Sequence, residues 1–209
     1  MTAEDYARAR RILARRDPVI RELMRAHGAC GLADAQHTDP FQALAHAIVS
    51  QQLSSKAATT IARRFDALFG GVPAPARMAA VSDRQLRAVG LSMQKVAYLR
   101  DLCVRIENGS LPLGAIERLP DEDVIGMLTQ VKGIGRWTAE MFLMFRLHRP
   151  DVLPVGDLGI VRAVQRAYGL RKAPDAKRLT RIGEPWRPYR SVACWYLWAS
   201  LDNPPLKDS

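Results

Sequence analysis

Two stretches of this chain carry residue types whose spacing could do chemistry. The first is VKGIGRWTAEM, residues 131–141. A Gly-hydrophobe-Gly turn there closes one helical pattern and opens another. The first N–H groups of a helix have no partner within it. Together with the helix dipole they form an anion site suited to phosphate. Gly133 and Gly135 allow positive φ and a close approach of the backbone to a ligand. Ile134 and Val131 would anchor the turn, and Lys132, Arg136 and Thr138 stand beside it. Read alone, Gly-Ile-Gly is equally an ordinary connection between two helices. The second stretch is VLPVGDLGIVRAV, residues 152–164. Asp157 opens a helical pattern there. It is either an N-cap or a fixed carboxylate. Such a carboxylate can stabilise a developing cation and orient or deprotonate a water.

The elements that must hold these residues are helical almost throughout. Residues 4–16 form a first helix, and Asp17-Pro18 reads as cap and first position of a second, to about Ala26. Asp39-Pro40 repeats that signal. Phe41, Leu44, Ala45, Ile48 and Val49 then mark an apolar helical stripe. SQQLSS, residues 50–55, interrupts it, and a further helix runs from about Ser55 to Phe69. Ser82 and Gln85 spell a capping box. Leu91 to Asn108 is helical, and the acids after Pro120 suit the start of another helix. Arg136 to about Leu147 is apolar nearly all round, which predicts a buried helix. Asp157 to Tyr168 is amphipathic, and the last helix spans about Arg187 to Leu201. VLPV is too short to pair as a strand by itself. The fold class expected is all-α.

The balance of 31 basic against 21 acidic residues gives a net charge of +10, which favours a polyanionic partner, nucleic acid before anionic membrane. No apolar run approaches the ~20 residues of a membrane span, and the N-terminus shows no signal-peptide pattern. Cys30, Cys103 and Cys194 lie far apart, without a CxxC pair. They predict three small buried apolar side chains in a reducing cytoplasm, and no zinc or iron–sulfur site. His37 and His46 lack partners at metal-ligand spacing.

FQALAHAIVSQQLSSKAA, LTQVKGIGRWTAEMF, VLPVGDLGIVRAV and WRPYRSVACWYLW together resemble the helix–hairpin–helix DNA glycosylase superfamily, and within it 3-methyladenine DNA glycosylase II. The match covers roughly residues 15–203. The resemblance implies two helical lobes with a cleft between them, one of about residues 35–118. The other would be 119–209 joined by the N-terminal helices 1–30. It leaves no room for the additional N-terminal β domain of larger members. It implies a monofunctional enzyme of base excision repair that hydrolyses the N-glycosidic bond of alkylated purines flipped out of double-stranded DNA. It would act as a monomer, off the membrane, on nucleoid DNA of a bacterial cytoplasm.

Residue by residue, Asp157 matches the catalytic aspartate. Trp137 occupies the position where lyase-type members carry a Schiff-base lysine. Trp137 and Trp198 match aromatic positions of the base pocket, with Met141 replacing a third. Gln52, or its neighbour Leu53, matches the wedge that fills the space left by the flipped base. A polar loop residue that caps a helix at Ser54 or Ser55 is the plainer reading of Gln52. Lys132, Gly133, Ile134, Gly135, Arg136 and Thr138 match the phosphate-binding hairpin. The carbonyls of Thr129, Val131 and Ile134 match a structural Na+ or K+ site, and no cofactor is required. Lys56, Lys95, Arg162 and Arg190 are further phosphate candidates, while Trp186 and Trp195 read as core. The competing readings are a non-catalytic helix–hairpin–helix DNA-binding protein and a lyase-type glycosylase for oxidised bases. The absent lysine at 137 and absent four-cysteine cluster count against the second.

Overall fold

The structure is a computed structural model that describes residues 1–34 and 39–202; His37 lies outside them. Among the described residues it is all helical, with no strand. In chain order the α-helices are α1 (Ala3–Arg16), α2 (Pro18–His27), α3 (Pro40–Ser50), α4 (Ser55–Ala67), α5 (Pro75–Met78) and α6 (Asp83–Ala88). They continue with α7 (Met93–Glu107), α8 (Asp121–Leu128), α9 (Arg136–Met141), α10 (Leu158–Ala167), α11 (Ala176–Ile182) and α12 (Arg190–Asp202). The chain divides into a terminal unit, Met1–Gln36 with Leu143–Ser209, and a central unit, His37–Phe142.

In the central unit, Asp39 caps α3 through Phe41 N and Gln42 N, with Pro40 in the first turn. The five stripe residues Phe41, Leu44, Ala45, Ile48 and Val49 are all buried. Ser82 and Gln85 form the expected capping box of α6. Ser92 caps α7, which therefore starts two residues later than the apolar pattern alone suggests. Residues 119–142 were expected with the C-terminal lobe but lie with 37–118. Backbone-to-side-chain hydrogen bonds from Lys132 N to Asp101 and from Gln51 to Gly133 O tie them there.

In the terminal unit, α12 packs against α10, α2 and α1. Asp17 is 5% exposed and caps α2 through Ile20 N at 3.0 Å. It also accepts from the Tyr168 hydroxyl at 2.5 Å and the Trp186 indole at 2.8 Å. Trp186 is core, as expected. Trp195 is only half-buried; it packs edge-on against Tyr196 and over Gly31. All three cysteines are free and buried; burial pushes the Cys103 thiol up to about 12.

The helix expected over 136–147 is not continuous or uniformly buried. α9 stops at Met141, and Phe142–Arg146 forms a π-helical turn. Such turns rotate the following side chains out of α-helical phase, and Trp137 and Phe145 are 51% and 40% exposed. α12 begins at Arg190 rather than near 187, because Pro188 holds the residue before it extended. The short helices α5 and α11 were not expected from the sequence pattern, although Pro75 stands in the first turn of α5 and Asp175 caps α11 through Arg178 N at 2.7 Å.

Candidate active site

The segment that delivers Asp157 is anchored from α12. Ser191 Oγ accepts from Val152 N at 3.0 Å and donates to Arg149 O at 2.6 Å. Arg190 holds the Asp151 carboxylate with Nε at 2.7 Å and Nη2 at 3.0 Å, and Arg187 joins it at 2.8 Å. Arg190, a phosphate candidate in the sequence, is thereby engaged in an ion pair within the protein. Asp157 N then donates to Pro154 O at 3.0 Å, which closes a tight turn into α10.

Asp157 is the N-cap of α10, with its side chain accepting from Ile160 N at 2.7 Å. The same oxygen, Oδ1, accepts from the indole N–H of Trp198 at 3.0 Å. The carboxylate is 9% exposed. The Trp198 ring stacks on Phe145, with centroids 5.9 Å apart and planes 28° apart. A buried, fixed carboxylate thus stands beside a partly exposed aromatic pair. The terminal unit brings Asp157 and Trp198 together, and adds Phe145, which sequence reasoning missed. Its only signal was membership of an apolar helix.

In the central unit the hairpin between α8 and α9 is tied down at several points. Ile134 N donates to Val131 O at 3.1 Å, and Val131 and Ile134 are buried beneath the turn. Gly133 adopts φ +82. A Cβ there would lie 2.1 Å from Tyr98 Cδ2, so both backbone and space require glycine. Burial alone would push the Asp101 carboxyl up. The backbone N–H of Lys132, at 2.9 Å, and the Arg105 guanidinium hold it below the ordinary carboxylate range. Gly135 is the N-cap of α9 and therefore supplies no side-chain acceptor to the first turn of that helix.

Two further basic side chains expected near phosphate are engaged within the protein. The Arg136 guanidinium forks onto Glu122 at 2.6 and 3.0 Å and reaches Glu140 at 3.1 Å, so what it offers an anion is its backbone N–H. Lys95 turns to backbone carbonyls, Val49 O at 2.7 Å and Gln51 O at 2.8 Å. It thereby closes the C-terminus of α3. The next residue, Gln52, is exposed and has φ +57, a left-handed conformation rare outside glycine. Gln51, not Gln52, makes the side-chain bond to the hairpin, from Nε2 to Gly133 O at 2.7 Å. The cap of α4 is Ser54, bonded to Ala57 N, so Gln52 does not serve as a cap. Leu53 is half-buried, its N–H bonded back to Ser50 O.

The family model for the HhH-GPD superfamily of base excision DNA repair proteins matches residues 45–188, a span that includes the hairpin, Gln52 and Asp157. The chain belongs to the HhH-GPD superfamily. DNA-3-methyladenine glycosylase 1 of Schizosaccharomyces pombe is 39% identical over 163 residues, 77% of this chain and 72% of the relative. The solved S. pombe 3-methyladenine DNA glycosylase in complex with abasic DNA superposes with a TM-score of 0.81 at 33% identity. It covers 95% of this chain and 98% of that one. A DNA-3-methyladenine glycosidase from Bacillus halodurans gives 0.77 at 41% identity, covering 90% and 86%.

Within this HhH-GPD protein, Trp137 stands half-exposed on α9 and Met141 partly buried at its end. Among the described residues no cluster of three His, Cys, Asp or Glu could hold a metal ion. No helix there is long and apolar enough to cross a membrane. The Thr129 hydroxyl points back to Ile125 O, at 2.8 Å, so only its carbonyl would face a cation. The carbonyls of Thr129, Val131 and Ile134 are neutral oxygen donors, and Val131 O also accepts from Ile134 N at 3.1 Å.

Proposed function

We propose that this protein is a monofunctional DNA glycosylase that removes alkylated purines of the 3-methyladenine type from duplex DNA. The observation that carries the reading is the buried Asp157 carboxylate, fixed by Ile160 N–H and the Trp198 indole beside an exposed aromatic face. The scissile base must leave the stack before a carboxylate can reach C1′. Gln52, on its strained turn, or the adjacent Leu53 is the wedge that occupies the space behind it. The backbone amides of Gly133, Gly135, Arg136 and Thr138, with the exposed Lys132 side chain, grip the phosphate backbone. The hairpin carbonyls of Thr129, Val131 and Ile134 would steady the turn around Na+ or K+.

Breaking the base–sugar bond builds positive charge on the sugar. Asp157 stabilises that charge in a water-poor site and orients the water that adds at C1′. The water's hydroxyl goes to C1′, its remaining proton passes to the Asp157 carboxylate and on to solvent, and the electron pair of the broken bond leaves with the base. An alkylated purine already carries positive charge, so its departure needs little acid assistance. Electron-rich indole faces favour such a base; Trp198 fits that role, and the pocket role of Trp137 and Met141 rests on the resemblance. Trp137 carries no amine, so no Schiff base forms at that position and the strand stays intact. Action on a bacterial nucleoid in the cytoplasm follows from the same reading.

The test is release of free bases from methylated duplex DNA by the wild type and by Asp157→Asn. The expected loss is on the order of 10²-fold or more. Equal release by both would remove Asp157 from the chemistry. Tight duplex binding by the wild type without any release would make the chain a helix–hairpin–helix binding protein.

A further inference from the structure

Gly159 sits in the first turn of α10, two residues after Asp157. Its φ is not in the left-handed region. Nothing in its backbone conformation therefore calls for glycine. Glycine in a helix is less favourable than alanine by roughly 0.5–1 kcal/mol. Space supplies the reason the backbone does not. A Cβ at 159 would lie 2.9 Å from Asp157 Oδ1, 3.1 Å from Trp198 Cδ1 and 3.1 Å from Trp198 Nε1. The first distance is shorter than real Cβ contacts, and the other two are tight. Two of these atoms, Oδ1 and Nε1, form the hydrogen bond in which the indole holds the carboxylate, and Cδ1 is the ring carbon bonded to that nitrogen.

We propose that Gly159 is a positioning residue: the missing side chain lets the Trp198 indole close onto Asp157 Oδ1 and so fixes the orientation of the carboxylate. Trp198 on this view has two duties, as wall of the base site and as the donor that orients the acid. The neighbours cannot yield easily. Asp157 Oδ1 is already held by Ile160 N at 2.7 Å, and Trp198 is backed by the Phe145 ring. A methyl group at 159 must therefore break the indole bond or swing the carboxylate off its cap. The proposal rests on Asp157 being the catalytic carboxylate.

The experiment compares Gly159→Ala, Trp198→Phe and the double variant with the wild type. It reads single-turnover base release from methylated duplex, affinity for a duplex bearing an abasic analogue, and melting temperature. Gly159→Ala should keep its fold and its DNA affinity within about twofold, and lose release on the order of 10²-fold, as displacements near 1 Å do. Trp198→Phe, which removes the donor and leaves a smaller ring, should lose roughly tenfold or more. Because both act through one contact, the double variant should be no slower than the slower single variant. Gly159→Ala that releases bases at the wild-type rate overturns the proposal, as do losses that multiply in the double variant. If Gly159→Ala fails to fold, Trp198→Phe decides: release at the wild-type rate refutes the indole's orienting role. Asp157→Asn is run alongside. Its retention of release would sink the catalytic assignment itself, whereas its failure with an active Gly159→Ala sinks only the role of Gly159.

Discussion

Replacing Lys95 by Met should impair excision from duplex DNA while sparing excision from a single strand. The ammonium group donates to Val49 O at 2.7 Å and Gln51 O at 2.8 Å, at the mouth of the turn that carries Gln52. A hydrogen bond from a charged donor contributes ~1.5–3 kcal/mol when buried. Lys95 is only partly buried, and burial lowers its pKa from the ordinary lysine value, so desolvation offsets part of the gain. The freed carbonyls also recover water in an exposed loop. A net effect of ~1–2 kcal/mol on the local order of the turn is the reasonable figure. The left-handed Gln52 alone costs a further ~1–2 kcal/mol, which only the surrounding contacts hold in place. The ~1–2 kcal/mol lost with the Lys95 bonds favours opening of the turn by a factor of ~5–30; the strain at Gln52 is common to both proteins and does not add to that difference. Gln51 Nε2, bonded to Gly133 O at 2.7 Å, would loosen with it. The assay is single-turnover release from two substrates: an alkylated purine in a matched duplex, and the same lesion in a single strand that needs no wedge. The duplex rate should fall ~5–30-fold and the single-strand rate much less. The melting temperature should fall by a few degrees, at ~2–4 °C per kcal/mol for this chain length. Equal losses on both substrates, or none on the duplex, would show that Lys95 does not serve the wedge.

Three further outcomes follow from the geometry. Gly133→Ala places a Cβ 2.1 Å from the Tyr98 ring in a backbone at φ +82 and should weaken duplex affinity strongly, with partial recovery in Gly133→Ala/Tyr98→Ala by filter binding. Asp17→Ala strands the buried Tyr168 hydroxyl and Trp186 indole and removes a cap, so urea unfolding should show a loss of ~3–5 kcal/mol; burial, then Asp17, already raises the Tyr168 hydroxyl well above its ordinary range. Asp101 has a folded pKa below its unfolded one, so the stability it contributes is present above the ordinary carboxylate pKa and disappears as pH falls through the folded value. Protection of the Lys132 amide, its exchange rate relative to the intrinsic rate at each pH, should therefore fall on acidification through and below pH ~4, and Asp101→Asn should flatten that dependence.

The features legible in the sequence are those set by short-range physics. Asp17-Pro18, Asp39-Pro40 and Ser82 with Gln85 announce helix starts because a cap needs only an oxygen, three residues of spacing and a free amide. The apolar stripe of α3 is buried as its period demands. What escaped the sequence depends on partners far along the chain. Arg136 meets Glu122 across 14 residues, and Lys95 reaches Val49 across 46, so each reads as a spare positive charge until the fold supplies its acceptor. The π-helical turn after Met141 likewise has no local residue code. It turns Phe145 outward, where an unbroken α-helix predicted burial.

Asp157 shows why cap and acid need not compete as readings. The sequence presents them as alternatives, yet in the structure one oxygen, Oδ1, accepts both the capping amide and the indole. Those bonds remove the rotational freedom of the side chain. A carboxylate that must meet a fleeting positive charge gains most when it is already held in place before the charge appears. The cap is thus the means by which the acid is held, and the catalytic reading requires it.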